Sequence, residues 1–174
     1  DIEHVWIVGL EVFVSEPMEL SGTTDEPDRP MGGIWIAGGS DIRVINCRVH
    51  ECTTNGINAW SAASNVVCYG NVVYNNGFVG TGRAHGHAAY TQNPKPSLKV
   101  FEANVFRAGP DGQTKTLAFQ AYGSEASFVE SYMILHNVFL GRVTLGRVGQ
   151  EGSTHITYRH NAQDSGGIGC GAPA

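Results

Sequence analysis

One short block occurs six times along this chain, and it constrains the fold more than any other feature. It opens as Glu3–Val12 (EHVWIVGLEV) and recurs as Ser40–Val49 (SDIRVINCRV), Ser64–Val73 (SNVVCYGNVV) and Ser97–Phe106 (SLKVFEANVF). It returns as Met133–Phe139 (MILHNVF) and, more faintly, as Thr154–Asn161 (THITYRHN). Aligned on the last polar-to-apolar step, Leu10, Cys47, Asn71, Asn104, Asn137 and Asn161 share one column, with steps of 37, 24, 33, 33 and 24 residues. A basic step near 24 with insertions of about nine is the mark of a solenoid whose coils differ in length. A single coil cannot bury its apolar face; stacked coils share one core and pair their backbones at about 4.8 Å per rung. Six coils then span roughly 25–30 Å.

A second block leads each coil: Gly33–Ile36 (GIWI), Gly56–Trp60 (GINAW), Ala88–Gln92 (AAYTQ), Ala118–Tyr122 (AFQAY) and Val143–Arg147 (VTLGR). Small or apolar residues alternate here with large polar or aromatic ones, the period of a half-buried strand. No segment longer than ten residues carries helical periodicity, and the Ala-rich cluster Ser61–Ser64 reads as a turn between strands. The expected fold is all-β, a right-handed parallel β-helix of about six coils forming one domain over residues 1–174. Residues 1–32 make an opening coil with a loop insertion, 33–161 the regular coils and 162–174 a Gly-rich tail. In the repeated column Asn71, Asn104, Asn137 and Asn161 are expected to form a ladder. An inward amide both donates to and accepts from its neighbours on adjacent rungs, and Asn tolerates the left-handed backbone of a sharp corner.

Composition agrees with a structure made of corners: 23 of 174 residues are Gly, and charged residues are only 16 %. Eleven Lys+Arg against 16 Asp+Glu leave a net charge of −5, which argues against a nucleic-acid partner or a polybasic membrane anchor. No apolar run approaches the ~18 residues of a spanning helix. The four cysteines, Cys47, Cys52, Cys68 and Cys170, show no metal-ligand spacing. Three lie in strand-like segments and read as buried small hydrophobes, and a disulfide involving Cys170 stays open. The chain starts inside a strand-like block and ends in a Gly-rich stretch without an amphipathic cap. A truncated or processed piece is therefore expected, or a solenoid whose ends meet a partner or further copies of itself.

The strings Gly56–Ser61 (GINAWS), Tyr69–Gly77 (YGNVVYNNG) and Arg83–Asn93 (RAHGHAAYTQN) resemble secreted bacterial right-handed β-helix proteins of the pectate-lyase-like superfamily. There the last string usually reads R-G-H-G-H-G-I-Y-x-Q-N. The resemblance runs over nearly the whole chain and departs at Ala84, Ala88 and Ala89, where the pattern has Gly, Gly and Ile; Ala for Gly at the first two implies turns without a positive φ. It implies the fold and an extracellular or cell-surface location. Activity is left open, because one such fold hosts lyases, hydrolases, epimerases and non-catalytic modules.

Two places carry candidate chemistry. In register, the leading blocks set Trp35, Asn58, Tyr90 and Gln120 in one outward column and Trp60, Gln92 and Tyr122 in the next. Aromatics flanked by amides suit stacking on sugar rings and bonding to hydroxyls, and the alternative is that loops cover them as satellite core. The segment Arg83–His87 is the densest functional cluster. His85 and His87 point the same way in extended backbone, as sugar contacts, bases or half a metal site. No nearby Asp, Glu or Cys completes that site. No metal site and no cofactor are therefore assigned, with a divalent cation left open, and a purely structural His is the other reading.

Glycosidases need two placed carboxylates, which the outward columns lack; Glu51, Glu125, Glu151 and Asp164 fall in turns or loops. Uronate β-elimination needs a cation and a base. Arg83, with Arg147 as a second candidate cation, would neutralise the sugar carboxylate, and His87 and Tyr90 would act as base and acid. His50, His136, His155 and His160 read as structural. Two functions follow: a lyase- or epimerase-like enzyme acting on a uronic-acid-containing polysaccharide, or a non-catalytic β-helix that binds glycan or self-assembles.

Overall fold

A computed structural model describes residues 2–15, 32–79, 84–93, 97–109, 117–123, 129–146, 154–164 and 167–170. Among them there is no helix. The strands wind through three faces in a fixed order, and every pairing between coils is parallel. On the leading face β9 (Ala89–Thr91), β12 (Phe119–Ala121), β15 (Val143–Leu145) and β18 (Ile168–Cys170) stack on the first halves of β3 (Ile34–Ile45) and β5 (Ile57–Tyr69). The second halves of β3 and β5 belong to the middle face, with β1 (Glu3–Val8), β10 (Lys99–Glu102), β13 (Glu130–Leu135) and β16 (Thr154–Arg159). The closing face holds β2 (Glu11–Phe13), β4 (Arg48–His50), β6 (Val72–Tyr74), β11 (Val105–Arg107), β14 (Val138–Leu140) and β17 (Ala162–Gln163). One small antiparallel pair, β7 (Phe78–Val79) with β8 (Ala84–His85), stands outside the coils. Strands β17 and β18 lie beyond residue 161, so part of the Gly-rich tail adds rungs of its own.

Inward positions fill one continuous core. Toward the N-terminal end it is aliphatic, with Ile34, Ile42, Val44, Val49, Ile57 and Val66. Further along it turns aromatic: Phe101 meets Phe119 edge-on at 4.9 Å and Phe106 stacks on Phe139 at 5.7 Å. Cys47, Cys52 and Cys68 are free and buried, and burial pushes the Cys68 thiol up to about 12. The side chain of Cys170 lies outside the described residues.

At the corner between middle and closing faces the column residues form an amide ladder. Oδ1 of Asn104 accepts from both the backbone N–H and Nδ2 of Asn71 at 2.9 Å, and Asn137 does the same for Asn104 at 3.0 and 2.9 Å. Asn161 repeats it for Asn137 at 2.8 and 3.0 Å. Each Nδ2 also donates back to a middle-face carbonyl: Val44, Cys68, Phe101 and Ile134 in turn. Cys47 ends the ladder by giving its N–H to Asn71 Oδ1 and its thiol to Ile7 O, the weak-donor equivalent of the amide.

Two expectations need correction. The left-handed residue is not the ladder residue but the one before it: Gly9, Asn46, Gly70, Ala103, His136 and His160 all have positive φ. The ladder residue must aim its own N–H along the stack at the next Oδ1, so the residue ahead of it makes the bend. Ser61–Ser64 is not a turn either, but the middle of strand β5. There Ala62 and Ala63 pair with Gly38 and Gly39 across a register shift, and such small side chains let two rungs bend together without leaving the sheet.

Candidate functional site

Leading-face strands are short because each must bury one or two small residues and present one large one outward. Ala59, Ala89 and Ala121 are fully buried, and between such positions the alternation throws the polar or aromatic residue to the surface. Pairing sets Trp35 beside Asn58, Asn58 beside Tyr90, Tyr90 beside Gln120 and Gln120 beside Thr144. Two residues further along, the backbone N–H of Gln92 bonds Ala59 O and that of Tyr122 bonds Thr91 O, which brings Trp60, Gln92 and Tyr122 onto neighbouring rungs.

The rings make one unbroken strip. Trp35 stacks on Trp60 at 5.9 Å, Trp60 meets Tyr90 at 6.2 Å with tilted planes, and Tyr90 stacks on Tyr122 at 6.1 Å. Trp35 is 62 % exposed and Trp60 37 %, while Tyr90, Gln120 and Tyr122 are half-buried. Asn58 and Gln92 belong to the same columns but are buried, and their amides are engaged. Gln92 Nε2 donates to Tyr90 Oη at 3.1 Å, and Asn58 Oδ1 accepts from Asn55 Nδ2 at 2.8 Å. They hold the strip from beneath.

Of the His-rich segment, Arg83 lies outside the described residues, as does Arg147, and only the backbone of His85 is described, in β8. Gly86 has φ +83°, and a Cβ there would come within 2.5 Å of Gly77 Cα and 2.7 Å of Thr54 O, so only Gly lets the chain pass. This tight passage delivers His87, whose N–H donates to Asn55 Oδ1 at 2.7 Å. The Leu117 N–H donates to His87 Nδ1 at 3.0 Å, so the neutral ring carries its proton on Nε2. His87 stacks on Tyr90 at 6.1 Å. Burial, the largest influence on Tyr90, pushes its phenol up and keeps it protonated at neutral pH. Among the described residues no group of three or more His, Cys, Asp or Glu is placed to hold a metal ion.

Sequence reasoning passed over Lys99. It shares the inward parity of Phe101 in β10 and is fully buried, with Nζ donating to the carbonyls of Ala59 at 3.1 Å, Trp60 at 2.8 Å and Gln92. Parity within the Ser97–Phe106 block was the available signal. Beside the strip a shallow cleft of about 520 Å³ follows the small-residue bend, lined by Ile2, Glu3, Gly38, Gly39, Ser40, Ala62 and Ser64.

Parallel rungs on three faces, an internal amide ladder and an aromatic strip along one face define a parallel β-helix with a candidate ligand-binding wall. The chain belongs to the family described as the right-handed beta helix region, whose profile matches residues 9–139. No curated protein and no solved structure matches the chain.

Proposed function

We propose that the leading face binds an extended carbohydrate chain lying along the coil axis, with Trp35 and Trp60 as stacking platforms and Gln120, Tyr90 and Tyr122 as hydroxyl partners. The observation that carries the reading is the continuous strip from Trp35 to Tyr122, buttressed from below by engaged amides. Flat amphipathic rings offer apolar area at little entropic cost and leave hydroxyl-bonding groups at their edges. The extracellular or cell-surface location expected from the resemblance belongs to the same proposal.

Binding is favoured over uronate elimination because, of the candidate acid and base, the two that are described are both already committed. The lone pair of His87 Nδ1 is occupied by Leu117 N–H, and Tyr90 stays a phenol. Affinity electrophoresis across neutral and uronic-acid polysaccharides tests the reading. Retardation by at least one polymer is expected, weakened about tenfold or more in Trp60→Ala, with the fold intact because Trp60 is partly exposed. Unchanged retardation in Trp60→Ala and Trp35→Ala would remove the wall as the site. Incubation with uronic-acid polymers should give no rise in the ultraviolet absorbance of an unsaturated product; a rise would restore the lyase reading with Arg83, His87 and Tyr90.

A further inference from the structure

The Lys99 side chain reaches from the core to three backbone carbonyls behind the strip, and we propose that it is a positioning residue for the wall: a clamp that fixes Trp60, and Tyr90 through Gln92. This deepens the carbohydrate-binding reading and rests on it for its functional consequence, though the clamp itself is testable without any ligand.

The argument starts from valence. A Lys ammonium has three N–H donors and no acceptor. Around Lys99 Nζ stand three backbone carbonyls, of Ala59, Trp60 and Gln92, with the residue fully buried. Two belong to the end of the leading segment of β5 and one to the residue just after β9, so a single side chain ties adjacent coils together where both leave the leading face. Ala59 O also accepts the Gln92 N–H, which makes the two coil ends one hydrogen-bonded unit. Outward from that unit project the Trp60 ring, which meets Tyr90, and the Gln92 amide, which donates to Tyr90 Oη. With an apolar side chain at 99, the Trp60 and Gln92 carbonyls lose the ammonium donor and Ala59 O keeps only the Gln92 N–H, and relaxation of that corner moves the two side chains it carries.

Among the described residues no carboxylate pairs with Lys99. The titratable groups beside it among those residues are the Cys68 thiol from β5, pushed up to about 12 by burial, and the phenol of Tyr132, its partner on the next rung in β13, also pushed up by burial. From β9 it faces Thr91, which bonds Tyr132 and does not titrate. Burial pulls the Lys99 ammonium down to about 7, while the three matched carbonyls favour the charged form. The clamp therefore changes its donor count from three to two in the range where Cys68 and Tyr132 both stay neutral.

The test uses the indole N–H signals of the three tryptophans in ¹⁵N-labelled protein, with Trp6 on the middle face as internal control. Lys99→Met, which keeps the length and removes the donors, is expected to move the Trp60 signal and leave Trp6 in place. Tyr132→Phe loses the bond to Thr91 in the same interior and should leave Trp60 unmoved. Equal movement in both variants, or none in a folded Lys99→Met, overturns the clamp.

Should Lys99→Met fail to fold, the wild-type protein still decides. The Trp60 signal should titrate in one step in the near-neutral to mildly alkaline range, and the step should persist in His87→Asn, which keeps an acceptor for Leu117 N–H. A step lost with His87, or one that moves Trp6 as far as Trp60, also overturns it. Carbohydrate retardation of Lys99→Met is read last: a loss of about threefold or more alongside a moved Trp60 supports the functional consequence. A moved Trp60 with no polymer bound even by wild type leaves the clamp standing and removes the carbohydrate reading.

Discussion

Two corners of the same coil are built on opposite plans. Between middle and closing faces, four successive rungs place Asn at the same position, each amide bonding a neighbouring rung's amide and a carbonyl of the preceding coil, with a left-handed residue just ahead. Between leading and middle faces no such rule repeats among the described residues. One pair of coils bends through Gly38–Gly39 against Ala62–Ala63 inside continuous strands. The next coil uses Asn93, whose amide reaches Ser97 O and Glu130 O, together with the inward Lys99. The first plan makes every rung interchangeable and the corner self-satisfying. The second leaves each coil free to differ, and it is beside this corner that the aromatic strip and the cleft occur. A solenoid can vary loops and bury unusual side chains on one edge because the other edge alone keeps register.

Breaking the ladder should therefore cost more than breaking anything at the other corner. Asn104→Ala removes the acceptor for the Asn71 N–H and Nδ2 and the donor to Cys68 O, all buried. At about 1–3 kcal/mol for each buried group left unpaired, a loss of roughly 3–5 kcal/mol is expected in urea unfolding. A loss under about 1 kcal/mol would show that the two corners matter equally.

The second effect reads the variable corner through pH. Burial lowers the Lys99 pKa from its ordinary 10.5 to about 7. Between those values the unfolded chain still holds a proton that the folded chain has released, so stability rises with pH through this window and is lowest below it. Relative to Lys99→Met, which has no such proton, the wild type should gain roughly 2 kcal/mol between pH 7 and pH 9, less than the ~1.4 kcal/mol per unit ceiling because the folded Lys99 is already about half deprotonated at pH 7. Urea midpoints of both proteins at the two pH values measure the difference. A constant gap would mean that Lys99 is charged throughout and that its three carbonyls fully offset burial.

What was legible in the sequence follows the same division. The column from Leu10 to Asn161 recurs with its apolar neighbours, so the repeat alone placed the ladder and the parallel stack. The leading blocks were legible by alternation, which set Trp35, Asn58, Tyr90 and Gln120 in one register. Exposure was not legible: Asn58 and Gln92 share the outward parity, yet bonds from Asn55 and to Tyr90 draw them under cover. Lys99 was hidden for a different reason. Its three partners lie 7, 39 and 40 residues away and are backbone atoms, which carry no residue-type signature. The left-handed column was misplaced by one because Asn is common at both positions of such a corner, and only hydrogen-bond direction separates them.

The smallest effect comes from that column. Gly9 and Gly70 occupy it without strain, whereas Ala103 holds φ +55°. An L-residue in this region costs about 1–2 kcal/mol, and Gly elsewhere in a fold costs about 0.5–1 kcal/mol through its looser unfolded chain. Ala103→Gly should therefore stabilise the protein by roughly 0.5 kcal/mol. Gly70→Ala should destabilise it by more, since the new Cβ would sit 2.4 Å from Asn46 Oδ1 and that side chain must swing aside. The pair sharpens the comparison of corners. If the ladder alone set the bend, the residue ahead of it would be a bystander and both substitutions would read near zero. Opposite signs in the two unfolding curves instead assign the bend to that residue and the register to the amide that follows it.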